Sequence, residues 1–468
     1  MKNNSLLSDY ANLGDARLNK RLAKICTQFS KRLTSSIPTS SPTRSQAKAT
    51  YNFFNNEKVS MQKIIAGHRE VHQRDKEKVK KQTLLVAQDS TNLDYTKTRS
   101  AKNFGPICYE HHRGCILHNS MVISSSGVPI GLFKQSSIIR SDEDFGKKKA
   151  KPKPPCQPIE EKESYRWIEH FTELQDYYKP YPNIEVFNIC DREADMHELF
   201  CAQQSSNVHL IVRSKHNRSL AEESSLKLHD KVAASPVQAR YKIKVTDRKT
   251  CKKRKAEVEL RFCPVTVKVR YPNKWQKDLP VVSLWVVQIA EINPPKGKKA
   301  VKWTLLSTKP IETVLTAKTI IRYYELRWLI ERFHYVLKSG AQITDLQLET
   351  PKRILNAVAT YSISAINVMR MNYLAREHPD LTIYDLGIST EEYRILYQYA
   401  HVNMDKRIIF AISDPPSIKE YVIVIARLGG FTKYNRKNSI LPGLKTFWRG
   451  WKEFQAIQKT YYTFMSKN

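Results

Sequence analysis

The chain has 468 residues, with 78 Lys and Arg against 45 Asp and Glu and a formal net charge of +33. That length holds two to four domains with cores of their own, and the basic excess points to a polyanionic partner, nucleic acid before anionic membrane. A transmembrane span is excluded, because the most apolar long window, about 356–375, is broken by Asn356, Asn367 and Arg370. The N-terminus lacks the apolar core of a signal peptide. The eight cysteines have no CxxC spacing, which disfavours a zinc site and a disulfide framework and fits a reducing cytoplasm.

Residues 1–70 read as basic helices. Leu18, Leu22, Ile25 and Phe29 recur at helical spacing, with Arg17, Lys20, Arg21, Lys24 and Lys31 around them. A Ser/Thr/Pro loop and a second short helix, SQAKATYNFFNN, follow. Such a module suits docking on duplex DNA, and equally a solvated cap. His68 and His72 stand at i, i+4, but HREVH is not HExxH, so they are expected on the surface.

Residues 82–89, QTLLVAQD, read as a buried strand that ends in Asp89, with a loop after it. Strands at 115–124 and 128–134 around Ser125–Ser126–Gly127 form a hairpin. Residues 140–163 are a charged, Pro-rich loop in which Lys147 to Lys153 either touch DNA or are simply solvated. YRWIEHFTEL is helical. Residues 184–191, IEVFNICD, repeat the earlier grammar: an apolar strand, then Asp191, with a helix at once behind it. Sites in α/β sheets lie at the carboxyl ends of parallel strands, so neighbouring strands would bring Asp89 and Asp191 together. Either Asp alone reads as a turn or N-cap residue. A further strand carries Arg213 out of its end. From 215 to about 300 the pattern alternates, in ARYKIKVTD, AEVELRF, TVKVRY and LPVVSLWVVQIAEI, as a β-rich insertion with DRKTCKKRK as a basic turn. The next strand contains Trp303. From about 371 the chain is helical, and Trp448, Trp451 and Phe454 form a stripe that reads as core before interface.

Residues 318–340, KTIIRYYELRWLIERFHYVLKSG, read as one helix stopped by Gly340. Leu326, Leu329, Ile330, Phe333, Val336 and Leu337 share its apolar face. Tyr324, Arg327, Glu331 and Lys338 share the other within roughly 60°, counting about 100° per residue. The plain reading is a solvated face with Arg–Glu pairing. A carboxylate between two cations also suits a metal-dependent enzyme that acts on a phosphate backbone.

The spacing Tyr324, Arg327, Glu331, Lys338 resembles the YREK signature of the insertion-sequence-four family of bacterial transposases. The similarity extends to VAQDSTNLDY, NICDREADMHELF, IVRSKH, EINPPKGKKAVKW and IARLGGF. The resemblance implies an α/β, RNase H-like catalytic core with a β-rich insertion, flanked by helical N- and C-terminal domains. The implied division is 1–70 for transposon-end recognition, 71–370 for catalysis with the insertion at about 215–300, and 371–468 for dimerisation or synapsis. It implies Asp89, Asp191 and Glu331 as a metal-binding DDE triad and two Mg2+ ions, replaceable by Mn2+. Arg213, Tyr324, Arg327 and Lys338 would hold phosphates, Trp303 would stack on a flipped base, and Arg17 and Arg21 would contact DNA. The implied partners are double-stranded transposon ends and target, with a homodimer in the synaptic complex, no membrane, and a cytoplasmic, nucleoid-associated bacterial setting. Asn55 departs from the family pattern, which has a basic residue there.

Overall fold

The computed structural model describes residues 2–31, 33, 36–143, 157–222, 226–246, 253–269, 273–404, 415–432 and 441–465. Lys147 to Lys153 lie outside the described residues, as do most of the basic turn at 247–255 and of the polar loop at 432–439. Among the described residues the strands are β1 (Gln82–Asp94), β2 (Gly105–Pro106), β3 (Arg113–Ser124), β4 (Pro129–Ile138), β5 (Ile184–Cys190), β6 (Val208–Arg213), β7 (Ser219–Leu220), β8 (Ala239–Thr246), β9 (Lys253–Lys268), β10 (Val282–Glu291) and β11 (Lys302–Ser307). No described helix is long and apolar enough to cross a membrane. The chain divides into two compact units. The first is Met1–Asp75, Ser90–Gly146 and Glu331–Asn468; the second is Lys76–Asp89 and Lys147–Ile330.

The second unit is built on a sheet ordered β1–β5–β6–β11–β10–β9–β7, with β8 also on β9. The apolar runs LLVA and VFNI pair in parallel, Gln82 opposite Ile184 through Ala87 opposite Ile189, and β6 continues the parallel set beside β5. Strands buried on both faces need such unbroken apolar runs. Helix Tyr165–Tyr178 covers this part with Trp167, Phe171 and Leu174, all buried. The insertion is antiparallel. AEVELRF and the start of TVKVRY, as far as Lys268, belong to one long β9, where two strands were expected. Pro264 sits within it opposite Trp285 of β10, while β8 pairs β9 only as far as Leu260. The proline therefore lies where one edge of β9 has no described ladder partner, which is where a residue without an N–H is tolerated.

In the first unit β3 and β4 form the expected hairpin. Gly127 closes its turn at φ 104°, a left-handed value that favours glycine. The second half of β1 runs beside β3. Tyr95 donates its N–H to Arg113 O at 2.8 Å, and Ser90 Oγ lies 2.8 Å from His118 Nδ1, which fixes an antiparallel sense. β1 thus continues past Asp89, where a loop was expected. Thr91 and Leu93 are buried while Asn92 and Asp94 are exposed, a period of two that keeps the strand going once its neighbour changes. An antiparallel hairpin on one half of a central strand and parallel strands on its other half make this the RNase H-like α/β core that the resemblance implied.

The core of the first unit is helix Pro351–Glu377, buried along most of its length. Around it stand Ala16–Lys31, Arg44–Asn55 and Met61–Gln73. Thr43 and Ser60 cap two of these by accepting from the N–H groups of Gln46 and Lys63. Leu22, Ile25 and Phe29 are buried as the spacing required. Trp448, Trp451 and Phe454 of helix Leu444–Met465 are also buried in their own chain, so they are core and lend nothing to a dimer face. His68 is not a surface residue. It is buried beside His72, the ring nitrogens 3.1 Å apart, and burial with the nearby Arg370 charge lowers its pKa to about 3.

Candidate active site

The parallel ladder places the two aspartates. The ladder runs as far as Ala87 opposite Ile189; the same register carried two residues further would set Asp89 beside Asp191, although β5 itself ends at Cys190 and Asp191 caps the turn that follows. Adjacent strands lie about 4.8 Å apart in a sheet. On the other face of the same two strands stands a buried pair the sequence reading missed: Gln88 Nε2 donates to Asn188 Oδ1 at 3.0 Å, both side chains fully buried. An amide in each of two otherwise apolar strands was the available signal. The bond ties β1 to β5 next to the acidic residues and pins their register. Cys190, buried beside them, has its thiol pKa raised well above the ordinary value, first by burial and then by Asp191 and Asp89.

Asp191 also caps. Its Oδ1 accepts the Glu193 N–H at 2.8 Å and opens a short 3-10 turn, Arg192–Ala194, in place of the long helix expected. The rest of DREAD is structural. Glu193 pairs with Arg166. Asp195 is fully buried and accepts from the N–H groups of Lys215 and His216 at 2.6 and 2.9 Å and from Arg218 Nη2 at 2.6 Å. That buried pair fixes the loop after β6.

Arg327 reaches Asp89, with Nη1 3.2 Å from Oδ2 and both side chains largely buried. Its guanidinium stands where a cation would be drawn to the strand-end carboxylate. Tyr324, one turn before it, is buried rather than on a polar face, and burial raises its phenol pKa. Trp303 meets Tyr324 edge-on, centroids 5.4 Å apart. The Arg213 guanidinium lies 5.8 Å from the Trp303 ring centroid, and its buried Nε has no hydrogen-bond partner among the described residues. Trp303 itself is half-buried and is therefore not a plain core residue. The second unit thus gathers Asp89, Asp191, Arg213, Trp303, Tyr324 and Arg327.

Glu331 and Lys338 belong to the first unit, both half-buried. The helix expected over 318–340 is really three pieces: Val314–Leu326, Trp328–Tyr335 and a π-turn at Val336–Gly340 closed by Ala341 N–H to Val336 O at 2.8 Å. The wider turn shifts Lys338 from the angle an α-helix would give it, and π-turns of this kind recur at functional sites. A Cβ on Gly340 would come within 2.7 Å of the Trp448 indole, so the turn needs glycine there. Among the described residues no three His, Cys, Asp or Glu side chains are grouped to hold a metal ion. The oxygen donors at the strand ends nevertheless suit a hard cation, and the place beside Asp89 is already taken by positive charge.

Arg17 is highly exposed and paired to Asp15 at 3.0 Å, and this pair holds the Asp15 carboxyl down at about 2. Arg21 is half-buried on the same helix. Asn55 accepts from Arg353 Nε at 2.8 Å, an internal bond of the first unit.

Residues 7–59 match the family model described as transposase DNA-binding, and residues 169–367 match that of the transposase DDE domain. The chain carries both kinds of domain. The DDE match includes Asp191 and Glu331 and begins after Asp89, whose place in the site rests on the ladder. Among solved structures, the piggyBac transposase synaptic complex with hairpin DNA aligns at 10% identity with a TM-score of 0.27, over 76% of this chain and 63% of that one. The chain therefore spans less than two thirds of that transposase.

Proposed function

We propose that the protein is a metal-dependent DDE transposase that cuts transposon ends and joins them to target DNA. What supports this reading is the parallel pairing of β1 with β5, whose register leads on towards Asp89 and Asp191, inside a chain whose segments match the transposase DNA-binding and DDE-domain models. Glu331 is the third carboxylate. Magnesium ions held by the three would activate the attacking oxygen and stabilise the leaving one.

The chain's own residues bind and orient. Arg213, Arg327 and Lys338 hold phosphates by charge-assisted hydrogen bonds, and Arg327 exchanges Asp89 for DNA when substrate arrives. In the proposed sequence water attacks first, breaking the P–O3′ bond and leaving a 3′-OH on the transposon end. That hydroxyl attacks the opposite strand, giving a hairpin and releasing flanking DNA. Water reopens the hairpin, and the freed 3′-OH attacks target DNA. Trp303 stacks on the base displaced in the hairpin, worth about 1–3 kcal/mol. The helical segment before residue 70 reads the ends, the RNase H-like core does the chemistry, and the C-terminal helices support a synaptic homodimer. The setting is a bacterial cytoplasm, on the nucleoid.

The test is to incubate the protein with its flanking inverted-repeat DNA and Mg2+. Hairpin-ended and donor–target joined products are expected. Nicked products without joining would make it an RNase H-like nuclease, and binding without nicking a silent regulator.

A further inference from the structure

Three residues after Glu331, in the same helix segment, stands His334, which is buried. Its Nε2 lies 3.0 Å from Asn119 Nδ2 on β3. Asn119 Oδ1 accepts from Gln135 Nε2 on β4 at 2.7 Å, and the same amide donates to Ser362 Oγ of helix Pro351–Glu377 at 3.0 Å. Asn119, Gln135 and Ser362 are buried as well. All four belong to the first unit, as Glu331 does.

The donors fix the direction of this chain. Gln135 gives its N–H to the Asn119 oxygen, so Asn119 turns its amide to His334 and gives an N–H to Nε2. Apolar side chains of the same shape would stabilise the core about as well. Hydrogen bonds add direction, which apolar contacts lack. Two strands and a long helix thereby set the rotation of the short segment that presents Glu331, just before the π-turn.

We propose that Asn119, Gln135, His334 and Ser362 are positioning residues for the Glu331 carboxylate and set its affinity for the divalent ion. The inference rests on the reading of Glu331 as the third catalytic carboxylate.

The test measures initial nicking rates of the full chain on inverted-repeat plasmid across a Mg2+ titration. Asn119→Asp removes the N–H to His334, and Gln135→Met removes the next link while keeping a similar volume. Each is expected to raise the half-saturating Mg2+ concentration about tenfold, the usual loss for an outer support of a metal ligand. End-DNA affinity should stay within about twofold of wild type. A purely structural role would lower the rate by the same factor at every Mg2+ concentration; that result, in whichever variant folds, overturns the inference. Glu331→Ala separates the two readings. Nicking that survives it removes the parent reading, whereas a dead Glu331→Ala with unchanged Mg2+ half-saturation in the network variants removes only this one.

Discussion

The strand-end aspartates and the N-terminal arginines are both charged groups expected to meet DNA or its metal, yet they are held in opposite ways. Asp89 is held in β1 with Arg327 beside it, and Asp191 just past the end of β5 by its cap on the Glu193 N–H, the two strands being tied by their ladder and the Gln88–Asn188 bond. Arg17 stands highly exposed on a helix and, among the described residues, is tied to Asp15. A ladder gives a side chain one place, which chemistry on a phosphorus atom requires. An exposed helix face gives it a range of places, which suffices for binding a polyanion by charge. Substitutions in the first region should therefore act on rate, and in the second on salt-dependent affinity.

The widest gap between the regions should come from Asp191→Ala or Asp89→Ala. Either is expected to lower plasmid nicking by at least about a thousandfold, with end binding in a gel-shift assay unchanged. Gln88→Leu comes next. It takes the donor from the buried Asn188 Oδ1, so a chemical melt should show a loss of about 1–3 kcal/mol, and the nicking rate should fall with the slackened register. A Gln88→Leu protein that nicks at the wild-type rate would break the claim that the ladder sets the chemistry.

Acid sensitivity comes third, from the helical side of the comparison. His68 is neutral when folded, its pKa lowered to about 3, so the unfolded chain binds more protons below its ordinary value. The stability it contributes is present above about pH 6.5 and is lost as pH falls, by about 2 kcal/mol at pH 5. In denaturant melts of the wild type at pH 7 and pH 5, His68→Leu should flatten that difference. The smallest effects belong to Arg17→Ala and Arg21→Ala. Each should weaken end binding evenly and reduce the salt slope by about one, with no change in nicking at saturating protein.

The sequence pointed to Asp89 and Asp191 through a one-dimensional pattern, apolar run then Asp, and both runs are buried strands, though only β5 stops at its carboxylate. It disclosed the β insertion by period and the buried Trp448 and Trp451 by their stripe. It hid what depends on a partner far along the chain. β1 runs on past Asp89 because β3 pairs with it there, and QDSTNLD alone looks like a turn. Tyr324 is buried under Trp303, a strand away, so the helical wheel placed it wrongly among solvated residues. The π-turn at Val336–Gly340 answers to the Trp448 indole more than a hundred residues later. His68 was misjudged because two histidines at i, i+4 look alike on a surface and in a core.

β1 also sets the terms on which the chain can change length. Side chains along a strand alternate faces, so one residue gained or lost between Gln82 and Gln88 would turn the Asp89 carboxylate through the sheet to the far side. Lengthening the hairpins of the insertion would move no residue of that ladder. The protein thus joins a segment with no tolerance for insertion or deletion to one where such events are cheap, and variants that differ in size should differ between β8 and β10.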